Sequence, residues 1–129
     1  MGMYTELYVN ACIKPDPGAV TMLKFMTGQI SDLPVDYEMP EHNLFRTSRW
    51  TSMLRSSSYY FVPSSVCQLV YDNIAECWCL TAVSSFKNYD NEIREFFDWL
   101  MPYVDEEAPT LIGYHRYEEQ RTPELVFSN

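Results

Sequence analysis

The sequence predicts an α+β fold in which two helices cover one face of an antiparallel sheet. Apolar and polar side chains alternate from Tyr4 to Lys14, and an apolar stripe at helical spacing runs from Ile93 to Val104. A period of two is typical of a half-buried strand, whereas spacings of three and four are typical of an amphipathic helix. The length of 129 residues suits one globular domain, 1–129.

The first strand and the first helix follow from local pattern. In 4–14 one face of the strand carries Leu7, Val9, Ala11 and Ile13. Asp16 offers a helix N-cap and Pro17 suits the first helical position, while Gly28 supplies a stop. The apolar residues between them recur at spacing three: Val20, Leu23 and Met26. We therefore expect a short helix that covers the sheet.

The longest connection, residues 29–43, combines the breakers Pro34 and Pro40 with four acids: Asp32, Asp36, Glu38 and Glu41. Loops of this length in compact domains tend to be functional or mobile. We expect an exposed acidic loop and take Asp36, Glu38 and Glu41 as candidate partner-binding residues.

The middle of the chain predicts strands. The segment from Trp50 to Phe61 is predicted to be extended, with a helical start as the alternative. Val66 to Tyr71 and Ala75 to Phe86 are predicted to form a hairpin through Asp72 and Asn73, because Asp and Asn tolerate the backbone conformations of a tight turn.

The second helix is predicted from a core-facing stripe and a cap at Asn88 or Asp90. We expect its wet face to carry Glu92, Arg94, Glu95 and Asp98. Three acids end it, Asp105, Glu106 and Glu107, where the helix dipole disfavours negative charge. Either the end frays or the acids form a surface kept for a partner, and we take all three as candidate partner-binding residues.

A strand from Leu111 to Glu118 and a short one from Leu125 to Phe127 complete the prediction. The order β-α-β-β-β-α-β is that of a ferredoxin-like antiparallel sheet with an added hairpin and both helices on one face. The opposite face would carry side chains more apolar than a solvated face needs: Tyr8, Cys12, Tyr59, Tyr60, Cys77, Cys79 and Tyr114. A homodimer through this face is therefore expected.

The composition argues against several classes of function. The net charge of −9 and the pI near 4.5 argue against direct nucleic-acid binding, which needs clustered Lys and Arg. No apolar run is long enough to span a membrane. The first residues lack the pattern of a signal peptide, so a cytoplasmic location is expected.

Metal and catalytic motifs are not found in the sequence. Cys77 and Cys79 are two positions apart on one predicted strand, whereas zinc sites use a wider gap in a turn and a second ligand pair. His42 and His115 stand alone, so a pairing of a cysteine with His115 has no support. We expect free packed thiols, no metal, no cofactor and no catalytic residues.

The most distinctive feature is an acid-free segment. From His42 to Tyr71 there is no acidic residue, although the chain has 18 of them, and three arginines lie inside this stretch. Arginine binds phosphate through two parallel hydrogen bonds, and aromatic rings stack on bases. The candidate ligand-binding residues are Arg46, Arg49, Trp50, Arg55, Tyr59 and Tyr60. The alternative is that the arginines pair with acids of this chain.

Several short runs resemble small proteins encoded by tailed bacteriophages and prophages. They are Met3 to Asn10, Arg49-Trp50, Ser57 to Phe61, Lys87 to Ile93, and Ile112 to Tyr114 with Arg116 to Glu119. The resemblance spans most of the chain, carries no catalytic motif and offers no functional residue. It implies a host cell cytoplasm and a host protein as partner. Phage proteins of this kind include inhibitors of bacterial immunity, such as anti-CRISPR proteins, whose negative surfaces can imitate nucleic acid.

Two hypotheses follow. In the first, the acidic surface occupies a basic, nucleic-acid-binding groove on a host defence protein. In the second, the arginines and aromatic residues between Arg46 and Tyr60 sequester a small nucleotide or another anionic ligand.

Overall fold

The computed structural model describes residues 3–58 and 65–129. In these residues the chain forms two helices and a sheet of five antiparallel strands in the order β2-β3-β1-β4-β5, which confirms the α+β class. The elements are β1 (Thr5–Ile13), α1 (Pro17–Met26), a 3₁₀ turn (Asn43–Arg46), β2 (Val66–Asp72), β3 (Cys77–Phe86), α2 (Glu92–Leu100), a second 3₁₀ turn (Met101–Tyr103), β4 (Leu111–Tyr117) and β5 (Glu124–Phe127). None of the helices in the described residues is both long and apolar enough to cross a membrane.

Strand β1 lies at the centre of the sheet. It pairs with β3 along its whole length, from Thr5 opposite Phe86 to Ile13 opposite Trp78, and with β4 on its other side. Because side chains alternate along a strand, one face of β1 is buried and the other is partly accessible. The helix face carries Leu7, Val9, Ala11 and Ile13, as the alternation predicts.

Helix α1 has the predicted ends. The Asp16 side chain accepts a hydrogen bond from the Ala19 N–H at 3.0 Å, and Pro17 occupies the first helical position. Gly28 follows the helix with φ of +82°, a conformation that favours glycine. The helix buries Ala19, Val20, Met22, Leu23 and Met26 against the sheet.

Helix α2 differs from the prediction at its start. Its N-cap residue is Asn91, in a left-handed conformation with φ of 61° and no side-chain cap. Asn88 instead reaches into the first turn and accepts from the Ile93 N–H at 3.0 Å. Glu92 was predicted to face water, but it is fully buried. Its carboxylate accepts from the backbone N–H groups of Arg49 and Asp90, at 3.1 and 3.0 Å, which offsets the cost of burying it.

The predicted strand over Trp50 to Phe61 is wrong for residues 50–55. Residues 50–55 form turns, with the Arg55 N–H bonded to the Ser52 carbonyl at 2.9 Å. Met53 and Leu54 are adjacent and both fully buried, which a strand with one core face does not allow. The helical-start alternative was closer to this geometry. The last residues of the prediction, 59–61, lie outside the described part of the chain.

The short final strand is confirmed. β5 pairs with β4 at the edge of the sheet, with a register shift between Leu111 and Gly113. A strand beyond β1–β4 therefore lies at this edge. A Cβ on Gly113 would collide with the Tyr8 carbonyl oxygen and lie 2.9 Å from Phe97 Cζ, so glycine lets α2 approach the sheet closely.

Candidate functional site

The three arginines of the acid-free segment have different surroundings. Arg55 Nε donates to the Met26 carbonyl at 3.2 Å, and its Nη2 donates to the Thr51 carbonyl at 3.1 Å. Met26 is the last residue of α1, where unpaired carbonyls and the helix dipole favour a cation. The Arg55 side chain therefore joins the end of α1 to the turns at 50–55.

Arg46 is exposed and borders a polar cleft of about 490 Å³ beside α2. The other residues that line this cleft are Glu41, His42, Asn43, Arg94, Glu95 and Asp98. His42 Nδ1 accepts from the Leu44 N–H at 3.0 Å, so Nε2 is the atom that donates to Asp98, at 2.8 Å. No ion pair joins Arg46 to a carboxylate in the described residues, although acids of α2 lie across the cleft.

Arg49 borders a separate cleft of about 240 Å³, which it lines with Lys87 and four serines: Ser52, Ser56, Ser57 and Ser85. The Arg49 guanidinium lies 5.2 Å from the Tyr89 ring centroid, and the Lys87 ammonium lies 5.7 Å from that of Tyr4. Two cations, hydroxyl groups and aromatic rings are the groups that bind a phosphate or a base.

Among the described residues, Trp50 does not line this cleft. Trp50 packs against Phe25 and Phe45, with ring centroids 5.8 and 5.0 Å away, as part of the core. Tyr59 and Tyr60 lie outside the described residues. The structure therefore does not bring Arg46, Arg49 and Arg55 to one site.

The predicted partner-binding acids are mostly open to solvent. Five are exposed and make no ion pair in the residues that the structure describes: Asp36, Glu38, Glu41, Asp105 and Glu107. Glu106 is half-buried, and its Oε2 accepts from the Cys12 N–H at 3.3 Å.

Tyr37 connects the acidic loop to the start of α1. Its hydroxyl donates to the Gly18 carbonyl at 2.8 Å. Burial raises the pKa of Tyr37, and the nearby Tyr103 and Asp16 raise it further. The Tyr37 hydrogen bond therefore joins the acidic loop to the first turn of α1, whereas Glu41 of the same loop borders the cleft beside α2.

Three of the four cysteines converge on the open face of the sheet, the face away from the helices. The sulfur atoms of Cys12, Cys77 and Cys79 all lie within 4.8 Å of one another. Burial, with the hydrogen bond that the Cys12 thiol donates to Cys77 as the next cause, raises the pKa of Cys12 to about 12, and burial also raises the pKa of Cys77. We call these three residues the thiol cluster.

The sequence alone placed all three cysteines on the open face, but only Cys77 and Cys79 were considered as a possible metal-ligand pair. Cys77 and Cys79 are neighbours on one strand, but Cys12 joins them because it lies directly opposite Cys79 in the β1–β3 register. The signal available in the sequence was that the alternation of both strands puts all three on the open face. Cys67 is elsewhere, with its Sγ donating to the Thr27 carbonyl at 3.4 Å.

The open face also carries apolar side chains. Tyr8 stacks on Tyr114 with ring centroids 5.2 Å apart. Val66, Val70 and Leu125 are each 54% exposed. The homodimer through this face stays a prediction, because these contacts show an apolar face and not what covers it.

His115 lies in a cleft of about 400 Å³ at the β4 end of the sheet, with its Nε2 3.5 Å from Glu124 Oε2. Burial lowers the pKa of His115, and Glu124 opposes this effect. The described lining of this cleft contains no cysteine, so the structure brings no thiol to His115.

Comparison with known proteins adds no assignment. No protein-family model, curated protein or solved structure matches this chain. What the protein does is therefore inferred from its own residues.

Proposed function

We propose that this protein is a small acidic interaction protein, encoded by a phage or prophage, that binds a host protein in the bacterial cytoplasm. Its acidic surface would imitate nucleic acid and inhibit a defence protein, in the manner of an anti-CRISPR protein. The observation that carries the proposal is the set of five exposed carboxylates without a counter-ion in the described residues: Asp36, Glu38, Glu41, Asp105 and Glu107.

Unpaired surface carboxylates are suited to such a role. A partner's Lys and Arg side chains need not displace an existing ion pair before they reach these oxygens. At a net charge of −9, long-range attraction to a basic groove would also raise the association rate. Exposed charges are screened by salt, so the affinity should fall as ionic strength rises.

We also propose that the framework that presents these acids is ferredoxin-like, with β5 as the addition. The order β2-β3-β1-β4, with α1 joining β1 to β2 and α2 joining β3 to β4, supports this view.

A displacement assay tests the interaction. Purified CRISPR effector complexes and restriction endonucleases are loaded with fluorescently labelled duplex DNA, and the anisotropy is followed as this protein is added. The Asp36→Asn/Glu38→Gln variant should lose displacement. The control Glu76→Gln/Glu119→Gln has the same net charge but removes exposed acids from other loops. No displacement by the wild type, or equal loss in both variants, contradicts the proposal.

The second candidate, an anion-binding module, is favoured by the Arg49 cleft alone. Ser85 Oγ in its lining is fully buried and has no hydrogen-bond partner in the described residues, so it can bond to a ligand oxygen. Nucleotides are screened by thermal shift, since a ligand at a hundredfold excess over its Kd adds about 2.7 kcal/mol of stability. Arg49→Ala should abolish the shift and the exposed Arg121→Ala should keep it. No shift with any nucleotide contradicts this second function.

A further inference from the structure

The thiol cluster has the donor set of a metal site. We propose that Cys12, Cys77 and Cys79 bind one Zn²⁺ ion on the open face of the sheet, with the Glu106 carboxylate as the fourth ligand. This site is independent of the acidic surface and of the Arg49 cleft, and neither function described above assigns it.

The geometry of the sulfur atoms supports the proposal. In a tetrahedral zinc site with Zn–S bonds of about 2.3 Å, the sulfurs lie about 3.8 Å apart. The three sulfur atoms here are already within 4.8 Å of one another, so side-chain rotations that close each gap by about 1 Å or less bring them to bonding positions. No backbone rearrangement is needed.

The scaffold that carries the cysteines is rigid. β1 and β3 are central strands that pair over nine residue positions, and Cys12 faces Cys79 directly. Ligands held on paired strands keep their spacing better than ligands on loops. The spacing of Cys77 and Cys79, with only Trp78 between them, is unfavourable in a zinc knuckle but suited to a strand, because both side chains then point to the same face.

Glu106 lies beside two of the three cysteines, Cys12 and Cys79. Its segment is held against the end of β1 by the Asp105 N–H, which donates to the Cys12 carbonyl at 2.8 Å, and by a bridge between Ile13 and Val104. The Glu106 side chain borders the same cleft, of about 310 Å³, as Cys12 and Cys79. Carboxylate oxygen is a normal zinc ligand beside thiolates.

The chemistry of the ligands selects the metal. Thiolates favour soft or borderline ions such as Zn²⁺, whereas Ca²⁺ and Mg²⁺ require oxygen ligands. On binding, Zn²⁺ replaces the protons of the three thiols, which pass to solvent, and no oxidation or reduction occurs. The bound ion would join β1, β3 and the segment after α2.

The experiment is a metal titration of the reduced, metal-free protein without oxygen. Co²⁺ serves as the spectroscopic probe, and Zn²⁺ is then added to displace it. We expect one Co²⁺ per chain, with thiolate-to-cobalt charge-transfer absorption and the visible bands of tetrahedral cobalt, both removed by Zn²⁺. Zinc should also raise the melting temperature, because it binds only the folded site tightly.

Variants assign the ligands. Cys12→Ser and Cys79→Ser should each weaken Zn²⁺ binding by more than about a hundredfold, and Glu106→Gln by about tenfold or more. Cys12 and Cys79 are half-buried, so these variants are expected to fold, and melting curves of the metal-free proteins check this. Cys67→Ser is the matched control, and it should keep the charge-transfer bands and the affinity.

Three results would overturn the proposal. One is a folded, reduced wild type without thiolate-to-cobalt absorption. Another is a loss in Cys67→Ser as large as in Cys79→Ser. The third is a disulfide within the cluster in air together with no metal binding after reduction, which would make the cluster a redox pair. DNA displacement and nucleotide shifts are measured separately, so failure here leaves both of those tests unaffected.

Discussion

The helix face and the open face of the sheet are built from the same strands but differ in what covers them. On the helix face of β1, Leu7, Val9 and Ile13 have no solvent exposure, because both helices pack over them. On the open face, the alternate residues Tyr8 and Cys12 are half-buried. The same strand therefore supplies both core residues, such as Ile13, and its neighbour Cys12 of the thiol cluster on the opposite face.

Substitutions on the two faces should therefore have different effects: on stability for the helix face and on ligand binding for the open face. The helix face is packed mainly with buried apolar side chains, so substitutions there should act on folding. The thiol cluster and the Tyr8–Tyr114 stack lie on the other face, so substitutions there should act on ligands first. Pairs of matched variants test this difference between the two faces.

The largest contrast is between two phenylalanines. Phe96 of α2 is fully buried, whereas Phe127 of β5 is 46% exposed. Phe96→Ala should lower the free energy of unfolding by about 3–5 kcal/mol, because it removes buried area and leaves a cavity. Phe127→Ala should lower the free energy of unfolding by clearly less than this. Urea denaturation followed by circular dichroism measures both, and equal losses would show that something covers the open face.

Glycine variants sharpen the comparison at the β4–α2 contact. Gly113→Ala should destabilise by about 1–3 kcal/mol, because the new methyl group collides with the Tyr8 carbonyl and with the Phe97 ring. Gly18→Ala is the control, since its nearest atom would be Asp16 Oδ1 at 3.4 Å and alanine favours the helix. Thermal melting gives both values. A Gly113→Ala protein as stable as wild type would mean that α2 does not pack this closely.

Arginine variants test the acid-free segment. Arg55→Ala should cost about 1 kcal/mol, because it removes hydrogen bonds to the Met26 and Thr51 carbonyls. Arg46→Ala should stay within about 0.5 kcal/mol of wild type, since Arg46 makes one long bond to Asn43, at 3.4 Å. The midpoints of urea denaturation of the two variants measure this difference in stability. If Arg46→Ala is the more damaging, Arg46 is held by acids of the chain and the internal-pairing alternative gains support.

The sequence pattern was sufficient to predict those elements whose structure is determined by residues close together in the chain. The alternation of β1, the Asp16 cap and the stripe of α2 all depend on residues close in sequence, and each was predicted. The turns at 50–55 were not, because an aromatic and serine-rich run has strand-like composition. Only tertiary packing buries the adjacent Met53 and Leu54.

The remaining differences come from contacts distant in sequence. Glu92 is buried because backbone N–H groups of Arg49 and Asp90 meet its carboxylate, and periodicity alone places it in water. The thiol cluster depends on the register that puts Cys12 opposite Cys79, and a slip by one residue would send Cys12 to the other face. Register is set by the whole hydrophobic pattern and not by cysteine spacing.

The smallest expected effect is a pH dependence at His115, which extends the comparison to the edge of the sheet. Burial lowers its pKa in the folded state from the ordinary value of 6.5, so the unfolded chain binds the proton more readily. Stability from this residue is therefore complete above pH 6.5 and is lost as the pH falls from there through the lowered pKa. Urea denaturation at about pH 7.5 and about pH 5.5 should show a larger loss for wild type than for His115→Gln. The carboxylates titrate in both proteins, so the difference isolates the imidazole. If the two proteins lose the same stability, Glu124 compensates fully for burial and His115 behaves as a solvated residue.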